Sequence, residues 1–248
     1  DTEVFKYNSM IVFKNYEEET VRVFSSSLDG LGELYDKGLI KEEGYRNLES
    51  FIEGKTIVAY NNYGYDDYII YAMSKNFLQD ILKQWNDSII KKQSTVNMKK
   101  IEVCKTLDAM QQIDVSRPSL KKIEGNMGLS IVESKVDFDI DRPLTPEENY
   151  ETFVYCDYDP GQLVKIFKLR KGYFESKAAI VEMLPEDMRE KAYKWNTTSI
   201  IGQLLKPKTP VRTGRLVPDE LMKLVPVDVR NMWHELGSTQ DYKFKQKK

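Results

Sequence analysis

The stretch Lys55-Thr-Ile-Val-Ala-Tyr60-Asn-Asn-Tyr-Gly-Tyr65-Asp66-Asp67-Tyr-Ile-Ile-Tyr-Ala-Met73 decides the fold class. Its first part is a short β-branched run after Gly54, which reads as a buried strand. From Asp66 to Met73 the apolar residues recur at helical spacing, and Tyr60 to Gly64 between the two is turn-like. A strand that hands over directly to a helix is the building unit of an α/β domain.

The same alternation extends outward. Upstream, Ser9 to Phe13 and Thr20 to Ser25 flank the polar run Lys14-Asn-Tyr-Glu-Glu-Glu and read as a hairpin, with Asp1 to Tyr7 as its neighbour. Leu28 to Tyr35 and Glu42 to Ile52 carry helical spacing. Downstream, Phe77 to Ile90 is helical, Ile101 to Leu107 strand-like, and Ser119 to Met127 a short helix that stops near Gly128. Thr145-Pro-Glu-Glu148 is a helix start with a capping box and Pro at the first helical position. That helix is expected to reach about Asp159, where Pro160-Gly161 breaks or kinks it before Gln162 to Leu169. From Lys171 onward the pattern is helices and Pro-bearing connections, which predicts a boundary near residue 170. The expected class is α/β with a mixed sheet flanked by helices and a C-terminal helical extension.

Composition narrows the chemistry. The 248 residues hold 37 Lys+Arg against 39 Asp+Glu, a formal net charge of −2, which is not the balance of a basic nucleic-acid coat. Only one His and two Cys are present, so Ser/His/Asp or Cys/His catalysis and the usual zinc sites are hard to assemble. His234 reads as a surface helix residue, and Cys104 and Cys156 as reduced thiols. Apolar runs fall short of the roughly 20 residues of a membrane span and no signal segment opens the chain, so a soluble, cytoplasmic protein is expected. Opening on Asp1 and closing on Lys-Phe-Lys-Gln-Lys-Lys, the sequence is expected to be cut from something longer.

The remaining candidates are carboxylates. Asp1 and Glu3 share one side of a strand by period-2 alternation. Asp66 and Asp67 stand where a strand becomes a helix, a place that also suits an Asx cap. Tyr155 and Asp159, four apart, share a helix face, as many solvated pairs do. Lys91-Lys92, Lys99-Lys100, Lys121-Lys122 and Arg117 could meet phosphates or simply be solvated, and Gly125-Asn-Met-Gly128 reads as helix termination.

Taken together, Asp1-x-Glu3, Asn62-x-x-Tyr65-Asp66 and Tyr155-x-x-x-Asp159 resemble the three motifs of the DEDD superfamily of 3′-5′ exonucleases, tyrosine branch. The middle motif resembles those of the proofreading domains of phage and family B DNA polymerases. The resemblance spans residues 1 to 170 and implies a ribonuclease H-like fold. Residues 171–248, including Trp195-Asn-Thr-Thr-Ser and the Pro218-Asp-Glu-Leu-Met-Lys-Leu-Val-Pro run, resemble the segment toward a polymerase region whose motifs are absent here.

The resemblance implies Asp1, Glu3, Asp66 and Asp159 as ligands of two Mg²⁺ or Mn²⁺ ions, with Asp66 preferred to Asp67 because it follows the aromatic residue. Hard divalent ions suit such oxygen donors, and two of them supply both nucleophile and charge stabilisation for phosphodiester hydrolysis. Tyr155 is implied to orient the attacking water, and Asn62 and Tyr65 to hold the 3′-terminal nucleotides. The expected partner is a single-stranded DNA 3′ end, with the polymerase region of a longer parent chain, in the host cytoplasm if phage-encoded. Rival expectations are a 3′-5′ exoribonuclease of the same superfamily and a non-catalytic module that binds single-stranded nucleic acid or a protein partner.

Overall fold

The computed structural model describes residues 1–93, 95–111, 113, 117–206, 223–224, 226–229 and 231. The chain separates into two compact units, Asp1–Leu205 and Lys206–Lys248. His234 and, of the Pro218 run, residues 218–222 and 225 lie outside the described residues.

The first unit is mixed α/β. β1 (Thr2–Val4), β2 (Ser9–Lys14) and β3 (Thr20–Ser25) form an antiparallel sheet in the order β1-β2-β3, with Thr2 opposite Ile11 and Ile11 opposite Phe24. The hairpin turn is organised by Asn15, whose Oδ1 accepts from Glu17 N at 3.1 Å and Glu19 N at 2.8 Å. Then come α1 (Gly32–Asp36), α2 (Leu48–Ile52), β4 (Thr56–Ala59), α3 (Asp66–Ser74) and α4 (Gln79–Ile90). β5 (Lys105–Asp108) pairs with β4 in parallel, Thr56 facing Lys105. α5 (Leu120–Asn126), α6 (Pro146–Leu169), α7 (Lys171–Glu182), α8 (Glu186–Ala192) and α9 (Thr197–Leu205) complete it.

Both strand polarities expected of a mixed sheet are present, but as two ladders: among the described residues no strand pairing joins β1-β2-β3 to β4-β5. Several elements are shorter than their periodicity predicts. The α1 and α2 helices cover only the ends of their apolar runs, and β5 begins at Lys105 because Ile101 packs instead against α3 and α4.

Alternation along β2 sets the layers. Ile11 packs with Phe24, Leu48, Ile52, Ile69, Met73 and Leu82, whereas Met10 and Val12 pack with Val23, Leu31 and Cys156. The first group draws on α2, α3 and α4, the second on α6, so α3 and α6 cover opposite faces of the antiparallel sheet. Each buried Leu, Ile, Met or Phe contributes about 1.5–3 kcal/mol, which fixes these helices against the strands.

The expected break at Pro160 does not occur: α6 runs unbroken for 24 residues with Pro160 inside it. Proline removes one backbone donor and crowds the carbonyl four residues earlier. Here Cys156, Asp159, Pro160, Gly161, Gln162 and Leu163 are all buried, and that packing offsets the local cost. The compact unit also continues past residue 170 to Leu205. Arg170 donates to the carbonyls of Ala109 and Gln111, and Lys177 to Tyr193 O at 2.5 Å, Trp195 O at 2.8 Å and Gln111 Oε1. These bonds tie α7 and the chain before α9 to the end of β5. Among the described residues no helix is long and apolar enough to cross a membrane.

Candidate active site

Three elements deliver the acids. β1 presents Glu3 at a half-buried position between buried Thr2 and Val4, with Asp1 one alternation earlier. The turn after β4 is held by Asp108, whose Oδ1 accepts from Asn61 N at 2.8 Å, and by Asn62 O, which accepts from Tyr65 N at 3.2 Å and Asp67 N at 3.0 Å. This turn starts α3 so that Asp66 and Asp67 fall in its first turn. α6 begins at the Thr145 capping box and carries Tyr155 and Asp159 one turn apart.

These parts meet at a cleft of about 490 Å³ lined by Asp1, Glu3, Tyr65, Tyr155 and Asp159, with Lys83, Lys91 and Phe138 on its rim. Asp66 lies buried beside it, 6% exposed, and accepts a 2.9 Å hydrogen bond from Thr2 Oγ1. Burial and then the nearby Asp159 charge push the Glu3 carboxyl up to about 8, with Asp66 adding to the rise and the Asp1 α-amino group opposing it. Burial likewise raises Asp66 above the usual carboxylate range. The Tyr155 phenol is held well above its ordinary value by burial, then by Asp159 and Glu3. Segments far apart in sequence therefore share one electrostatic environment.

Asp159 is paired. Lys121 of α5 donates to its Oδ1 at 2.9 Å and to Val132 O, and its ammonium stands 4.8 Å from the centroid of the Tyr155 ring. Glu124, one turn along α5, is fully buried, and neither carboxylate oxygen has a hydrogen-bond partner. Among the described residues no group of three or more His, Cys, Asp or Glu side chains is arranged to hold a metal ion. In donor chemistry the four acids suit a hard divalent cation, which would offset the part of the rise at Glu3 that the Asp159 and Asp66 charges add to burial.

The other expected residues fall as follows. Tyr65 lines the cleft and donates to Asn86 Oδ1 at 2.6 Å. Asn62 is 1% exposed; its Nδ2 donates to Asp67 Oδ1 at 2.9 Å and its Oδ1 has no partner. Asp67 is wholly buried, also accepting from Thr106 Oγ1 at 3.2 Å, with Lys194 at 3.9 Å. Asp66, not Asp67, is thus the acid coupled to Glu3. Lys100 donates to Tyr63 O, Lys92, Lys122 and Arg117 are exposed, and Gly128 with φ +69 closes α5. No sequence spacing points to Thr2 or to the Lys121–Asp159 pair; Ser119, whose side chain accepts from Lys122 N, marks only the start of α5.

No family model, no curated protein and no solved structure matches the chain.

Proposed function

We propose that the chain is a metal-dependent 3′-5′ exonuclease, built on a ribonuclease H-like plan, that removes nucleotides from single-stranded or frayed DNA ends as the proofreading part of a phage-type polymerase. The observation that carries this reading is the meeting of Asp1, Glu3, Asp66, Tyr155 and Asp159, drawn from β1, α3 and α6, around one cleft. Tyr65, which lines the cleft, would meet a terminal sugar or base there, while Asn62 holds Asp67 and with it the turn that starts α3.

Asp1, Glu3, Asp66 and Asp159 would hold two Mg²⁺ or Mn²⁺ ions, which when bound supply a nucleophile from water and neutralise charge on the phosphate. The Tyr155 phenol keeps its proton at neutral pH, so it acts as a hydrogen-bond donor that orients the attacking water rather than as its base. Lys121 places its Nζ 2.9 Å from Asp159 Oδ1 and would balance that carboxylate when a phosphate enters.

The test is digestion of 5′-labelled single-stranded DNA with Mg²⁺ or Mn²⁺. Stepwise shortening by the wild-type chain and its loss in a folded Asp66→Ala protein are expected. Activity in Asp66→Ala equal to wild type would sink the assignment, and faster loss of RNA than DNA ends would move the substrate class to RNA. The Lys121–Asp159 pair favours a second reading, a non-catalytic single-strand binder; it predicts binding without cleavage even in Mn²⁺.

A further inference from the structure

The buried residues of α4 are Leu82 and Asn86, four apart and therefore on one helix face. Leu82 joins the core that α2 and α3 help to form. Asn86 takes the next turn of the same stripe, where an apolar side chain would ordinarily sit, and is 4% exposed. Its two side-chain hydrogen bonds both run along the candidate active site.

Asn86 Oδ1 accepts from the Tyr65 phenol at 2.6 Å, and Asn86 Nδ2 donates to Asp87 Oδ1 at 3.0 Å. Lys83 Nζ donates to the same Asp87 oxygen at 2.7 Å. A carboxylate only accepts, so the Asn86 amide must turn its nitrogen to Asp87 and its oxygen to Tyr65. The direction of the chain is thereby fixed: Lys83 and Asn86 give to Asp87, and Tyr65 gives to Asn86. All four residues line the cleft that Glu3, Tyr155 and Asp159 share. Tyr65 itself is half-buried, with part of its ring packed on the core and part facing the cleft. Packing holds the near end of such a ring; the bond to Asn86 holds the far end and so sets its tilt.

We propose that Asn86, oriented by Asp87 and Lys83, is a positioning residue that fixes the tilt of the Tyr65 ring to receive the terminal, unpaired base of a single strand. The inference rests on the reading of the cleft as the seat of a DNA 3′ end. A ring held in one pose loses little freedom when a base stacks on it, whereas a ring free to rock must be ordered on binding.

A bond that merely ties α3 to α4 is distinguished from one that sets the ring by removing both partners together. Tyr65→Phe strands the Asn86 oxygen and Asn86→Leu strands the phenol, each at a cost in stability. The Tyr65→Phe/Asn86→Leu double variant leaves neither orphan, and such a swap can be close to neutral. Thermal melting is measured alongside quenching of a 2-aminopurine at the 3′ end of a single-stranded oligonucleotide in Ca²⁺, a hard cation for the same oxygen donors. Shortening of that oligonucleotide in Mg²⁺ or Mn²⁺ gives kcat and KM. Wild type is expected to quench the base. Each single variant is expected to melt lower, to quench less, to bind about fivefold more weakly and to raise KM by about as much, with the smaller effect on kcat. The double variant is expected to regain the wild-type melting temperature while its quenching, affinity and KM stay as poor as those of the single variants. Asp87→Asn, which lets the Asn86 amide turn over, is expected to shift quenching and KM in the same direction. Recovery of quenching and KM together with melting in the double variant would overturn the proposal, because the bond would then serve packing alone. Loss of quenching in Tyr65→Ala with wild-type quenching and KM in Asn86→Leu would overturn it too and leave the exonuclease reading standing. Absence of binding and shortening in wild type would remove both.

Discussion

Replacing Gly30 by Ala should damage the molecule far more than its surface location suggests. Gly30 has φ +74, and a Cβ built there falls 2.0 Å from Pro146 O and 2.7 Å from Pro146 C. Pro146 is the first residue of α6, the helix that carries Tyr155 and Asp159. The left-handed conformation alone costs an alanine about 1–2 kcal/mol. Relieving the clash requires the start of α6 to move by more than about an ångström, since a carbon and a carbonyl oxygen settle beyond about 3.3 Å. That movement strains the Asn149 Nδ2 bonds to Asp29 O at 2.7 Å and Ser27 O at 3.3 Å, worth about 1 kcal/mol each. The sum is about 3–4 kcal/mol. Gly38 is the internal control: its φ is +72 but a Cβ there meets nothing within 4 Å, so Gly38→Ala should lose only about 1–2 kcal/mol. Urea denaturation of both variants gives the comparison. If Gly30→Ala is no less stable than Gly38→Ala, the contact with Pro146 does not position α6 and the reasoning fails.

Asn62→Ala removes the donor to buried Asp67 and should destabilise by about 1–3 kcal/mol, read as a shift in the urea midpoint; unchanged stability with weakened single-strand binding would mean that the amide serves substrate and not the turn. Lys177 is 3% exposed, and burial pulls its ammonium down to about 8. Between pH 8 and the ordinary lysine value of 10.5 the unfolded chain holds a proton that the folded one has released, so stability should rise with pH through that window. Thermal melts from pH 7.5 to 9.5 should show this rise, and Lys177→Met should flatten it; the same slope in Lys177→Met would assign it elsewhere. Above about pH 10.5 the trend should reverse, because burial keeps Tyr65 and Tyr155 protonated in the fold while the unfolded chain ionises them.

What could be read from the sequence was local. The β-branched run of β4, the helical spacing of α3 and α4, the Thr145 capping box and the end of α5 at Gly128 each rest on interactions within a few residues, so spacing and turn chemistry suffice. The acids and Tyr155 stood out for the same reason, as short patterns on single elements. The α1 and α2 helices are shorter than their apolar spacing predicts because Leu31, Ile40 and Tyr45 fill the core from the connecting chain, leaving Leu34, Leu48 and Ile52 to the helices themselves.

Only the tertiary structure decided which partner each group has. Thr2 reaches Asp66 and Lys121 reaches Asp159 across 64 and 38 residues of sequence, distances over which no spacing rule operates. The unbroken helix through Pro160 and the separation of the two strand ladders are likewise collective outcomes. Buried neighbours of α6 outweigh one missing backbone bond, and a strand ladder closes only where an edge finds another edge within hydrogen-bonding distance. Sequence sets what each segment can form; the energies that choose among partners come from burial and proximity, which exist only once the chain has folded.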